Sequence, residues 1–196
     1  MGRKSRTDER RAQILSAFER CIVRKGLHRT TLDDVALEAG IARPLIRHNV
    51  GNWDNLVRAA TERLTDVYST IYQSHLARAR EKKDLHVITG FLFSTAYGTA
   101  TEDQDMVLNA MSSAAQTDDT LRDLLKSMYQ RFEKSLVDEI VNLYGDVSRA
   151  EASNVAYAII CLAEQNSMFQ AWGFPAGRAR SVRQVADDLL TGLLVR

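Results

Sequence analysis

Within ARPLIRHNVGNWDNLV, residues 42–57, two arginines and a histidine (Arg43, Arg47, His48) lie within six residues of one another. Arginine can grip a phosphate or donate two parallel hydrogen bonds to guanine O6 and N7, and histidine and the adjacent Asn49 can donate to phosphates or base edges. Pro44 suits the first turn of a helix and Gly51 suits its end, so these donors sit on one very short helix. Such a helix buries little, mainly Leu45 or Ile46 and Val50. Its use is to project side chains.

The segment before it, TTLDDVALEAG, reads as the helix that positions this one. Thr31 is a capping residue, Asp33 and Asp34 fall at the positive end of the helix dipole, and Gly40 ends the element. Two helices joined by a tight glycine-containing turn match a helix-turn-helix, whose second helix enters the major groove of DNA. A helical hairpin that merely packs has the same spacing, and spacing alone does not separate the two. Thr31 could also present its hydroxyl and the free N–H groups of its helix to a phosphate.

Charge is divided along the chain. The net charge of the whole is +1, but residues 1–50 carry +5 and residues 51–196 carry −4. A cationic first quarter suits contact with a polyanion at one end only; a solvated basic face has the same composition. Cys21 and Cys161 lack metal-ligand spacing and read as small core residues, so neither a metal site nor a cofactor is expected. The start MGRKSRTDERR has no apolar stretch behind its charges, and the most apolar window, LHVITGFLFSTAYGTA, is shorter than the ~20 residues of a membrane span. The expectation is a cytoplasmic protein that does not enter the membrane. No glycine-rich phosphate loop and no nucleophile with a recognisable base is present, which argues against an enzyme.

Apolar residues recur at three- and four-residue spacing almost throughout, the pattern of an all-α protein. About nine helices are expected: one capped by Thr7 and running to Lys25, then 32–39, 43–50, 52–80, 84–100, a short one to Ala115, one from Thr117, Asp118 and Asp119 to Tyr144, one from a Ser148 and Glu151 capping box toward Trp172, and a last at 178–195. This divides into a three-helix domain, residues 1–51, and a C-terminal helical bundle, residues 52–196. The helix at 152–172 is apolar on two sides, Val155, Ile159, Leu162 and Phe169 on one and Tyr157, Cys161, Met168 and Trp172 on the other. With the final helix it could form a four-helix bundle across a two-fold axis. Polar groups within apolar faces, Asn109, Glu164 and Asn166, could aim at a ligand or at a second subunit.

The stretch RRAQILSAFERCIVRKGLHRTTLDDVALEAGIARPLIRHNVGNWDNLV resembles the N-terminal domain of TetR/AcrR transcriptional regulators without gaps over about fifty residues. The resemblance rests on Ile14, Leu15, Ala17, Phe18, Gly26, Thr30, Thr31, Val35, Ala36, Ala39, Gly40, Ile41, Arg43, Gly51 and Leu56. It implies a homodimeric repressor that binds double-stranded operator DNA and is released by a small-molecule effector held in the C-terminal domain. The chain departs from the family's usual tyrosine at Arg47, its aromatic or histidine then phenylalanine at Asn49 and Val50, and its lysine at Trp53.

The candidate DNA contacts are Thr31, Ala42, Arg43, Arg47, His48, Asn49 and Trp53, with Arg3, Lys4 and Arg6 of the basic arm. Candidate ligand contacts are Tyr68, Tyr72, Phe93, Tyr97, Asn109, Met128, Phe132, Glu164 and Asn166. Candidate dimer contacts are Val155, Ile159, Leu162, Phe169, Val182, Val185, Leu189 and Leu193.

Overall fold

A computed structural model describes residues 6–94 and 102–193. The described residues are all-α, with an N-terminal helix-turn-helix and a C-terminal set of helices. The α-helices are α1 (Arg6–Lys25), α2 (Leu32–Ala39), α3 (Arg43–Asn49), α4 (Trp53–Lys82), α5 (His86–Leu92), α6 (Glu102–Ala114), α7 (Asp119–Tyr144), α8 (Arg149–Ala171) and α9 (Ala176–Gly192), and a 3-10 turn at Leu27–Arg29 joins α1 to α2. Arg3, Lys4 and Tyr97 lie outside the described residues.

Two compact units result, one of Met1–Val67 with Thr101–Lys126 and one of Tyr68–Ala100 with Ser127–Arg196. In the first, α1 packs on α2, α3 and α6. Its core is Ile14, Leu15, Ala17, Phe18, Cys21 and Ile22 of α1, Val35, Ala36 and Ala39 of α2, Ile46 of α3, Leu56, Ala60 and Leu64 of α4, and Val107 and Met111 of α6. Arg63 of α4 donates to the Ala12 carbonyl (3.2 Å) and Ser16 Oγ (3.0 Å), and its Nε lies 3.6 Å from Glu19, tying α4 to α1.

In the second unit the small residues Ala152, Ala156 and Ala163 line the buried face of α8, which packs on α9 and α5. Thr89 of α5 is fully buried and donates to Asp187 of α9. The Glu139 carboxylate of α7 is 3% exposed and is held by the guanidinium of Arg80 on α4, which is the pairing a buried charge requires.

Several boundaries differ from the expected ones. Thr7 lies inside α1 and does not cap it. The α5 helix begins at His86, whose N–H donates to Asp84 Oδ1 (2.9 Å), and stops at Leu92, far short of residue 100. Thr89 and Gly90 are weak helix formers, and the N–H groups of Phe93 and Ser94 close the helix onto Thr89 and Phe91. The last helix starts two residues early, at Ala176 after Pro175, and ends at Gly192. The cap of α7 is Asp118, whose Oδ1 accepts from the Leu121 N–H (3.0 Å).

Candidate nucleic-acid interface

The helix-turn-helix is fixed at each end by backbone chemistry. At the start of α2, Thr31 and Asp34 form a reciprocal capping box: the Thr31 N–H donates to Asp34 Oδ2 (2.9 Å) and the Asp34 N–H donates to Thr31 Oγ1 (3.2 Å). Lys25 of α1 pairs with the same carboxylate, and Arg20 (2.6 Å) and Arg24 (2.9 Å) hold Glu38 at the other end of α2. Gln13 donates to the Ala39 carbonyl (2.7 Å), so α1 grips α2 along its length.

Hydrogen bonding from Lys25 first, then from the Thr31 hydroxyl and N–H, lowers the Asp34 pKa to about 2. A lowered folded-state value means that the stability is present above the ordinary carboxylate value near ~3.9 and is lost as pH falls through about 2. Between pH 6 and pH 2, the wild type is therefore expected to lose more Tm than Asp34→Asn, which has no charge to lose there. Equal losses in the two scans would refute this.

After Gly40, in the left-handed region at φ 63°, the chain turns directly into α3. Only one face of α3 is anchored, by Ile46, fully buried, and by Val50 at its end. Leu45, the other candidate for the core, is 42% exposed. At 100° per residue the remaining side chains sort themselves. Arg43 and Arg47 share one flank, Leu45 and Asn49 share the other, and Pro44 and His48 stand at the outward crest.

The contacts agree with this sorting. Arg43 Nη1 reaches both oxygens of Asp33 on α2, at 3.0 and 3.2 Å. Leu45 and Asn49 line a groove of about 400 Å³ with Arg6, Thr7, Glu9, Arg10 and Gln13 of α1. Arg47 and His48 are exposed and have no hydrogen bond or ion pair among the described residues. Asn49 Nδ2 turns back onto the Leu45 carbonyl (2.7 Å), leaving its oxygen as the available group.

Gly51 ends this unit at φ 106° and leads into a second reciprocal cap, between Asn52 and Asn55. A Cβ on Gly51 would lie 2.6 Å from Asn55 Oδ1, whereas one on Gly40 would meet nothing within 4 Å. Gly51→Ala is therefore expected to cost about 2–3 kcal/mol and Gly40→Ala about 1, measured by urea denaturation. Equal costs would mean that Asn55 gives way freely.

Trp53, placed among the DNA contacts on sequence, is half-buried with its ring edge-on to Phe18 at a centroid distance of 5.4 Å. It packs the start of α4 onto α1. The Thr31 hydroxyl is likewise engaged, donating to Asp34 Oδ2 (2.8 Å) beside two carboxylates, which disfavours a phosphate there. Ala42 is the exposed N-cap of α3. Leu45 is the residue that sequence reasoning missed on the outward surface; an apolar side chain there suits a thymine methyl.

In the second unit the residues singled out for ligand and dimer contacts separate by burial. Tyr68, Phe93, Met128, Phe132 and Asn166 are buried, and Glu164 is half-buried. Asn109 is half-buried on α6, in the first unit. Tyr72 is a core residue: its hydroxyl donates to the Phe132 carbonyl (3.2 Å), its ring packs on Phe132 at 4.6 Å, and burial pushes its pKa far up.

Ile159, expected as a dimer contact, is fully buried within the chain itself and so serves as core. Val155, Leu162, Val182, Leu189 and Leu193 are half-buried, while Phe169 and Val185 are exposed. The open face of α8 is the other one, with Tyr157 62% and Trp172 65% exposed. Cys161 stands there too, exposed and not in the core, while Cys21 is buried. Phe169 stacks on Phe174 at 4.9 Å, extending this aromatic surface beyond the helix. Among the described residues no helix is long and apolar enough to cross a membrane, and no three His, Cys, Asp or Glu side chains gather as metal ligands would.

Comparison with known proteins agrees with this geometry. The family model of bacterial regulatory proteins of the tetR family matches residues 14–60, which run from α1 into α4. The HTH-type transcriptional regulator TtgR of Pseudomonas putida is 40% identical over 81 residues, 41% of this chain and 36% of that protein, so the chain matches about a third of its relative's length. The fold extends further. A TetR transcription regulator from Haloarcula marismortui superposes with a TM-score of 0.77 at 15% identity, covering 95% of this chain and 98% of that one. A Saccharomonospora viridis protein solved in complex with choline does so with a TM-score of 0.76 at 19% identity, covering 94% and 96%. Residues 14–60 thus match the N-terminal domain of the tetR family of bacterial regulatory proteins, and over the rest of the chain the likeness is one of fold.

Proposed function

We propose that this chain is a cytoplasmic, DNA-binding transcriptional regulator, a repressor that binds a pseudo-palindromic operator as a homodimer and is released by a small-molecule effector. The observation that carries the reading is α3, anchored by Ile46 and Val50 alone, with Arg43, Arg47 and His48 all exposed on its other sides. A helix of seven residues with one buried face contributes little to a core and presents a concentrated set of donors to a groove. Residues 1–51 serve DNA and residues 52–196 serve the effector and the partner subunit. The exposed Tyr157, Trp172, Phe169, Phe174 and Val185 on and beside α8 and α9 favour association of two copies there, since apolar patches of this kind are usually covered. The fold neighbour that holds choline favours a small organic effector, and Asn166 and Glu164, polar groups on the largely apolar α8, are the side chains assigned to meet it in this reading.

Fluorescence anisotropy with random and genomic duplexes at 50 and 200 mM salt tests the reading. A regulator binds both, loses affinity steeply with salt, and prefers a pseudo-palindrome with half-sites roughly 35 Å apart. A folded, dimeric protein that binds neither duplex at either salt concentration would end the proposal.

A further inference from the structure

The two arginines on one flank of α3 are not equivalent. Arg47 has no partner among the described residues, whereas Arg43 Nη1 is shared between both oxygens of Asp33, at 3.0 and 3.2 Å. The pair is open to solvent, with 60% of the Arg43 side chain and 69% of the Asp33 side chain exposed, so it lies on the same surface as the other donors. Asp33 is not needed by the cap of α2, which uses Asp34.

We infer that Asp33 is a specificity-determining residue that turns Arg43 from a phosphate-seeking cation into a positioned donor within a pair of no net charge; this rests on the DNA-binding reading above. Asp33 occupies one guanidinium nitrogen and leaves the Nη2 and Nε groups free. A phosphate approaching Arg43 meets the Asp33 carboxylate as well, so attraction and repulsion largely cancel. A guanine edge, neutral and offering two acceptors, meets no such repulsion and gains from a guanidinium held in one orientation. Arg47, one turn along and unpaired, remains free to take a phosphate. The structure thus divides labour within one flank, with one arginine for affinity and one for sequence.

The test compares wild type, Asp33→Asn, Arg43→Ala and the double variant. Each is titrated against a random duplex and against a duplex selected from random oligonucleotides with the wild type, across 50 to 200 mM salt. Removing the carboxylate while keeping Arg43 should tighten binding to random duplex. It should also steepen the slope of log K against log salt by about 0.9 per protomer, a further three- to fourfold loss per protomer over that range. The preference for the selected duplex should fall by about fivefold or more per half-site. With Arg43→Ala in place, Asp33→Asn should leave the preference unchanged, relieving only the repulsion of the unpaired carboxylate, alike on both duplexes. An unchanged slope or an unchanged preference in Asp33→Asn overturns the inference, as does a loss of preference that persists without Arg43, because Asp33 would then not act through that guanidinium. Melting curves establish that each variant is folded. If the wild type binds no duplex, the DNA-binding reading falls and this inference with it.

Discussion

Arg47→Ala is expected to weaken binding to a selected duplex by about 1.5–3 kcal/mol per protomer, more than tenfold, while leaving thermal stability within about 0.5 kcal/mol of the wild type. The side chain is exposed and makes no ion pair or hydrogen bond with the described residues, so the folded monomer loses no contact of that kind. What it loses is a cation one turn after Arg43 on the outward side of α3, free of the carboxylate that holds Arg43. A phosphate contact predicts a loss of similar size on random and selected duplexes and a salt slope shallower by about 0.9 per protomer. Arg43→Ala should, unlike Arg47→Ala, also reduce the preference between them. Anisotropy titrations of both variants separate the roles, and full affinity with an unchanged slope in Arg47→Ala would exclude the phosphate contact.

Phe18→Ala is expected to be the most destabilising single change in the first unit, by about 3–5 kcal/mol. Phe18 is fully buried in α1, and its ring meets the edge of Trp53 at 5.4 Å, at the first residue of α4. Truncation opens a cavity under the helix-turn-helix and removes an aromatic contact worth about 0.5–1.5 kcal/mol in addition to the area buried. Against a typical total of about 5–15 kcal/mol, such a loss leaves the domain close to unfolding at growth temperature. Urea denaturation followed by Trp53 fluorescence in a Trp172→Phe background measures it, with Phe18→Leu as the volume-conserving control. A cost below about 1 kcal/mol would mean that Phe18 is not the packing centre of this unit.

Much of the fold was legible because the signals are local. Thr31 with Asp34 and Ser148 with Glu151 are capping boxes in the structure, Gly40 adopts the left-handed turn, and Pro44 sits in the first turn of α3. What escaped were choices that depend on distant packing. Leu45 and Ile46 are adjacent and equally apolar, and only the position of α1 and α2 decides that Ile46 goes inward. Both faces of α8 read as apolar, and its alanines, which periodicity weights lightly, mark the face that is buried. That is why Ile159 proved to be core while Tyr157, Cys161 and Trp172 stand open. The Asp33–Arg43 pair joins residues ten apart across a turn, a relation that no helical period encodes. The satisfied hydroxyl of Tyr72 depends on the Phe132 carbonyl sixty residues away.

In the proposed complex the crest of α3 faces DNA, and a site-directed cross-link tests that orientation. Cys21 is buried and Cys161 exposed, so a Cys161→Ser background leaves a single new thiol addressable, at His48→Cys or, as control, at Arg131→Cys on the exposed surface of α7. A photoactivated aryl azide tethered to that thiol is irradiated with a bound, selected duplex. Adducts are expected at base positions from residue 48, one set per half-site, and none from residue 131. Adducts from residue 131 with none from residue 48 would contradict that orientation.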